Sequence, residues 1–221
     1  MSKNFYRIIP VAIILLFGTI GIAGAQGFSP FFGMGSAFDS AGTSSGCPNG
    51  YLFDDFSGFC EPGPTMGGVF GIFGGDLMLK PHLGFNAEYA FRFAQANYLP
   101  DVGLKYRPSF YDFNAVYEPI TGTENKIVPV LTGGIGGARI ELYEAESVSV
   151  TGITSNVSYP AGISANHFQV HGSGGVRFYF NGNLFLEPRF DVHYVRNLNQ
   201  QFGRNVVPQF MVSIGYSFGN R

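Results

Sequence analysis

The sequence predicts an all-β chain: a transmembrane antiparallel up-and-down β-barrel of eight strands, carried behind an N-terminal signal peptide. Three observations point there. Apolar and polar residues alternate with a period of two over most of 66–218, the mark of strands with two unlike faces. Aromatic residues are abundant, 24 Phe and 12 Tyr, while only 13% of residues are charged, about half the usual ~25%. Short turns alternate with long loops along the chain, the rhythm of outer-membrane barrels.

Composition also excludes. With 45% hydrophobic residues and a formal charge of -2, the 221-residue chain is not a disordered one. Its 13 Lys+Arg against 15 Asp+Glu form no basic stripe, so nucleic acid is not an expected partner.

Residues 1–25 read as the signal peptide. Lys3 and Arg7 make a positive start, an apolar run interrupted by Pro10 follows, and Ala23-Gly24-Ala25 is a small-residue cleavage site before Gln26. That run is shorter than the ~20 residues a spanning helix needs, and nothing after residue 25 is apolar for long enough. Crossing a bilayer therefore falls to strands closed into a barrel, expected over 26–221.

The first strand is placed at about 29–38, because both termini must lie on the short-turn side. A long loop, 39–65, follows it. Cys47 and Cys60 lie there in a Gly/Pro-rich segment, an even pair that predicts a disulfide in an exported chain. The neighbouring Asp54 and Asp55 match no calcium-loop spacing.

Seven further strands follow. Over 66–80, Val69, Phe73, Leu77 and Leu79 oppose Asp76 and Met78. Over 83–95, Leu83, Phe85, Tyr89, Phe91 and Phe93 oppose Asn86, Glu88 and Arg92. Over 109–118, Tyr111, Phe113 and Tyr117 oppose Asp112, Asn114 and Glu118. The Gly-rich 127–143 takes its parity from Arg139 and Glu141 opposite Ile140 and Leu142. Over 167–180, Phe168, Val170, Phe178 and Phe180 oppose Gln169, His171, Ser173 and Arg177. Over 184–196, Leu186, Phe190, Val192 and Tyr194 oppose Glu187, Arg189, Asp191 and His193. The last strand, 208–218, sets Phe210, Val212, Ile214, Tyr216 and Phe218 against Gln209, Met211, Ser213 and Ser217. Tight turns are expected at 80–82, 121–125 and 181–183, where Gly, Asn and Pro suit the backbone. Long loops are expected at 96–108, 144–166 and 197–205.

A water-soluble barrel packs its apolar face inward, and a membrane barrel inverts the sorting. Export, the low charge and strands near ten residues long favour inversion. The inward set is then Asp76, Glu88, Asp112, Glu118, Glu141, Glu187 and Asp191 with Arg92, Arg139, Arg177 and Arg189. Eight strands leave room inside only for side chains, and charges removed from water must pair. A structural ion-pair network is the expectation, with a small conducting porin as the alternative. His167 and His193 are expected in that network, and no His, Cys or carboxylate spacing marks a metal site. Gly133 to Gly137 lies mid-strand with no helix behind it, so close packing explains it better than phosphate binding. No cofactor and no metal are expected.

Four segments carry a resemblance: Pro108-Ser-Phe-Tyr-Asp-Phe-Asn-Ala-Val-Tyr117, Gly133-Gly-Ile-Gly-Gly137, Asn166-His-Phe-Gln-Val-His-Gly172 and Ser213-Ile-Gly-Tyr-Ser-Phe218. From about Phe70 to Phe218, about two thirds of the chain, the sequence resembles the eight-stranded outer-membrane barrels of the OmpA/OmpX/opacity type, acidobacterial barrels among them. The resemblance implies residence in the outer membrane of a Gram-negative-type bacterium, with lipid around the barrel. Phe210, Val212, Ile214, Tyr216 and Phe218 resemble the final-strand assembly signal read by the barrel-insertion machinery, although Gly-Asn-Arg follows where such chains end on Phe. An extracellular ligand would meet the long loops, above all the Ser/Thr/Val-rich 144–166. His171-Gly172-Ser173 with Glu187 resembles the triad of outer-membrane lipid A deacylases, in which Ser attacks, His is the base and Glu orients it. All three lie on the inward parity here, away from lipid, and the carboxylate comes later than in that family. The expected function is therefore non-enzymatic, structural or surface-interacting. A lipid A deacylase-like hydrolase and a small porin are the alternatives.

Overall fold

Alternation along the chain becomes two opposite surfaces once the strands pair edge to edge. The computed structural model describes residues 27–39, 41–53, 58–99, 104–120, 126–150, 153–180 and 182–219. The expected leader, Asp54, Asp55 and the turn at 121–125 lie outside them. Eight strands form the barrel: β1 (Gly27–Ala37), β4 (Gly68–Lys80), β5 (Leu83–Arg92), β7 (Leu104–Tyr117), β8 (Ile127–Val150), β9 (Ile153–Tyr179), β10 (Leu184–Val195) and β11 (Val206–Tyr216). Each pairs antiparallel with the next, and β11 closes on β1 through Phe31↔Gly215 to Ala37↔Gln209. Closure leaves the barrel without an unpaired edge, as lipid requires.

The sorting is inverted. Phe32, Phe73, Phe85, Phe113, Ile135 and Phe190 stand exposed on the outside, Phe113 at 65%. Asp76, Glu88, Asp112, Glu118, Arg177, Glu187, Arg189 and Asp191 are buried inside. An exterior of exposed Phe, Ile and Leu over a charged interior suits lipid and would be insoluble in water. This is a transmembrane barrel of the outer-membrane type.

Elements outside the barrel cover its long-loop end. β2 (Tyr51–Phe53) and β3 (Cys60–Pro62) make a small hairpin stapled by the Cys47–Cys60 disulfide. β6 (Ala96–Leu99) pairs with the start of β7; at the opposite, short-turn end β12 (Phe218–Gly219) extends the closing pair beside Gly27 and Phe28. A single turn, α1 (Asn199–Phe202), ends at Gly203 with φ +77°. A Cβ at Gly203 would run into Gly42 of the first loop. Both the left-handed backbone and the contact therefore call for glycine there.

Two expectations are corrected. Residues 144–150 and 153–166 are strand and not loop: β8 and β9 pair on from Glu144↔Tyr159 to Val150↔Ile153, and from Ala145↔Ser158 they run as a two-stranded ribbon beyond the reach of β7 and β10. Above the lipid neither face of a ribbon has to be apolar, so period-two hydropathy vanishes, while Thr, Val and Ser keep the backbone extended. Arg139 and Glu141 point outward, not into the lumen, and Ala138 and Ile140 are the buried residues of that stretch. The reason is the same. Near the long-loop rim the exterior leaves the apolar band, and charge there no longer marks the inside.

Candidate functional site

The lumen is the chemically distinctive part of the barrel. It is built on the inward positions of seven strands, where glycines on one strand make room for large side chains on the next. Gly136 faces Asp112, and a Cβ on it would lie 2.7 Å from the Asp112 Oδ1. Gly134 does the same for Asn114, and Gly175 for Arg189. These glycines explain the Gly133 to Gly137 run: its inward members are vacated for the polar cluster, and its outward Ile135 meets the exterior.

Toward the short-turn end one guanidinium gathers three carboxylates. Arg177, 2% exposed, donates from Nε to Glu187 at 2.5 Å, from Nη1 to Glu118 at 2.6 Å and from Nη2 to Asp76. Its plane also covers the Phe185 ring at 4.8 Å. Below it Ser29 Oγ donates to Ser217 Oγ at 2.9 Å, and Tyr179 reaches the same serine at 3.2 Å. A planar fork with five donors suits this three-way contact as a lysine would not.

Amides relay this cluster to a second one. Asn86 Nδ2 donates to Asp76 Oδ1 at 2.7 Å, and Asn114 Nδ2 donates to Asn86 Oδ1 at 2.9 Å. The Asn114 carbonyl then faces His171 Nδ1 at 3.1 Å, and His171 Nε2 meets Asp191 Oδ1 at 3.1 Å. Arg189 places Nε at 3.1 and 3.2 Å from the two oxygens of Asp191 and Nη1 at 2.9 Å from Glu88. Gln169 donates to Asp112 Oδ1 at 2.6 Å. His171 and His193 stack at 4.6 Å, and His193 stacks on Phe110 at 4.4 Å.

Above Phe110 the lumen turns apolar. Met66, Phe70, Tyr106, Ile140, Val195, Leu198, Phe202 and Val207 pack as a plug with hardly any exposure. Tyr98, Tyr106 and Phe202 form an aromatic triangle, with centroids 5.4 to 6.2 Å apart. Thr65 pins it, since its backbone N donates to the Tyr106 hydroxyl at 2.7 Å and its carbonyl accepts from that hydroxyl. The barrel is thus filled by charge in its body and closed by hydrocarbon at its mouth.

The predicted residues distribute as follows. Glu88, Asp112, Glu118, Arg177, Glu187, Arg189 and Asp191 are in the lumen, together with Asp76. Arg92 points to the mouth, where it donates to the Thr65 carbonyl at 3.3 Å and lies over Tyr106. Arg139 and Glu141 pair outside at 2.9 Å, with Arg107 joining at 3.6 Å. His167 sits at the rim, its Nδ1 3.2 Å from the Arg196 carbonyl. Phe210, Val212, Ile214, Tyr216 and Phe218 line the outside of the closing strands, with Phe210, Tyr216 and Phe218 exposed there. His171, Ser173 and Glu187 do not form a triad. Ser173 bonds Thr132 at 2.7 Å, His171 is held by Asn114 and Asp191, and Glu187 is held by Arg177.

Sequence reasoning put Asn86, Asn114, Gln169 and Gln209 on the inward face without assigning these four amides to the network, and it missed the aromatic plug. The amides share the inward parity of the charges and were readable from it. The plug was not, because Tyr106, Leu198 and Phe202 lie in segments without alternation.

No protein-family model matches the chain, and no curated protein matches it. Among solved structures it is similar to Neisserial surface protein A, at 12% identity and TM-score 0.52 over 88% of this chain and 98% of that one. It is also similar to the outer membrane protein OprG from Pseudomonas aeruginosa (13%, TM-score 0.49, 89% and 97%). A third is Ail, the attachment invasion locus protein of Yersinia pestis (12%, TM-score 0.48, 87% and 98%). The first likeness shows the fold, an eight-stranded barrel of the outer-membrane type.

Proposed function

We propose that this chain is a non-enzymatic barrel of the Gram-negative-type outer membrane, structural or surface-interacting in role, with its long-loop end outside the cell. One observation carries the reading: the lumen is filled by a hydrogen-bonded charged network and capped by Met66, Tyr106, Leu198 and Phe202. A filled lumen passes no solute, and a charge network inside it serves cohesion. At the long-loop end the disulfide-stapled hairpin and the β8–β9 ribbon extend beyond the plug, and these are the contact surface for an extracellular ligand. The insertion machinery is its partner in assembly, through the outward face of β11.

The hydrolase alternative needs Ser173 beside a base and open to lipid, whereas Ser173 faces inward and bonds Thr132. The test has two arms on protein refolded into lipid. Liposome swelling in arabinose should match protein-free vesicles, and incubation with lipid A should release no fatty acid. Solute flux would establish the porin. Fatty acid release that Ser173→Ala abolishes would establish the enzyme.

A further inference from the structure

We infer that the lumen holds a divalent transition-metal ion, of the zinc or manganese class, between Glu88, Asp112 and His171. These residues come from β5, β7 and β9, and each presents one donor atom within 4.8 Å of the other two. All three are at most 7% exposed. One imidazole nitrogen with carboxylate oxygens is a donor set for such ions.

The surroundings are arranged as a second shell. Of the two oxygens of Glu88, Oε2 is taken by Arg189 at 2.9 Å, and Oε1 faces His171 Nδ1 at 3.8 Å. Asp112 Oδ1 accepts from Gln169 at 2.6 Å, while Oδ2 has His193 Nδ1 at 3.8 Å. His171 gives its Nε2 to Asp191 at 3.1 Å, which turns Nδ1 inward. Metal-bound imidazoles commonly have such a carboxylate behind them, fixing ring and tautomer. Asn114 Oδ1, 3.1 Å from the same Nδ1, is the acceptor the ion displaces or shares. With Nε2–H donated to Asp191, the neutral ring binds the ion through its Nδ1 lone pair, and an imidazolium would do so by releasing its Nδ1 proton to water.

Two independent observations point to a cation. His193 Nδ1 is buried without a hydrogen-bond partner and lies 3.8 Å from Oδ2 of Asp112, one of the three donors. Among the described residues, the buried lumen also carries Asp76, Glu88, Asp112, Glu118, Glu187 and Asp191 against only Arg177 and Arg189. The Arg177 cluster answers its own carboxylates geometrically, and Asp191 lies on Arg189. Asp112 has no guanidinium of its own, and Glu88 has one it shares. Each arginine thus stands among three buried carboxylates, and at the Arg189 cluster one of the three, Asp112, has no guanidinium partner; buried charge has to be compensated. With the plug above and Arg177 below, the ion enters as the barrel folds.

The test is metal content after folding. The full barrel is refolded from urea into detergent with Zn2+, washed free of loose ion and counted by plasma mass spectrometry. About one ion per folded chain is expected, lowered about tenfold or more by His171→Gln and by Asp112→Asn. His167→Gln, at the rim, should retain it. Each variant's heat-dependent electrophoretic mobility reports whether it folded. Zinc-edge X-ray absorption on the unmutated chain, which needs no variant, should show imidazole nitrogen with oxygen donors. A folded chain that retains no zinc overturns the site, as does an all-oxygen shell. Zinc that survives both His171→Gln and Asp112→Asn overturns it too, by placing the ion elsewhere.

Discussion

Arg177 on β9 and Glu118 at the end of β7 lie 59 residues apart in the chain and meet inside the barrel at 2.6 Å. No strand joins them directly: β8 runs between. The contact spans the lumen, and with Asp76 from β4 and Glu187 from β10 it ties four strands through one side chain.

Replacing that side chain tests how much the tie contributes. Arg177→Met keeps much of the volume but leaves three buried carboxylates facing one another. Breaking a buried pair costs about 3–5 kcal/mol, and this site breaks three contacts at once, so the loss is expected at the upper end. It should read as a lower urea midpoint for unfolding in lipid vesicles. Arg177→Lys should recover little, since an ammonium cannot reach three carboxylates in one plane. Adding Glu187→Gln to Arg177→Met should recover part of the loss, because it removes one stranded charge. A midpoint within error of the parent for Arg177→Met would mean that water or protons stabilise these acids instead.

The glycine run on β8 offers a contrast within four residues. An Ala at 136 would place its Cβ 2.7 Å from Asp112 Oδ1 and harder still against the Tyr111 carbonyl, while an Ala at 133 meets only the His171 carbonyl at 3.9 Å. Gly136→Ala should therefore destabilise by about 1–3 kcal/mol as overpacking. Gly133→Ala should be neutral or stabilising by up to about 1 kcal/mol, through the unfolded chain. Equal effects at the two positions, read from parallel urea titrations, would detach the glycines from the lumen packing.

How much of this was legible depends on where lipid sets the rule. From Phe85 to Phe91 and from Phe210 to Tyr216 each outward side chain meets hydrocarbon, so the sequence must alternate and the inward residues follow by parity. Glu88, Asp112, Arg177, Glu187 and Asp191 could be placed inside on that basis alone. Above the band the rule lapses. Arg139 and Glu141 face outward beside Arg107 with no penalty, and the ribbon extends β8 and β9 with no hydropathy signature. The three-way contact at Arg177 and the convergence of Glu88, Asp112 and His171 depend on register between strands far apart in the chain, which alternation does not encode.

The plug should behave as a unit separable from the barrel. Phe202 comes from α1, beyond the strands, and packs on Tyr98 and Tyr106 with no exposure. Phe202→Ala removes about 3–5 kcal/mol of buried packing, and the loss falls on local opening of the loops. Trypsin cleavage at the exposed Arg204 should accelerate by about a hundredfold to a few thousandfold where opening equilibrates before cutting. The barrel's heat-dependent mobility should not change. An accelerated loss of that mobility would show instead that the plug and strands unfold together.

The exterior supplies the last contrast, between two outward positions on neighbouring strands at different depths. Phe113 is 65% exposed in the middle of the apolar stretch from Tyr111 to Tyr117, and Arg139 stands on β8 opposite Ser109, two register steps nearer the long loops than Tyr111. An arginine at the centre of a barrel's lipid face costs about 2–4 kcal/mol and near the interface about 0–1. Phe113→Arg should accordingly lower folding stability in lipid vesicles by the larger amount. Arg139→Leu should change it little, because its salt bridge to Glu141 is surface-exposed and such pairs contribute about 0–1 kcal/mol. In a soluble barrel the order would reverse: Phe113→Arg would be harmless on a wet face, and an added Leu at 139 would only enlarge an exposed apolar patch. The sign of the difference between the two variants, measured with lipid and in detergent of matched thickness, therefore tests the inverted sorting directly.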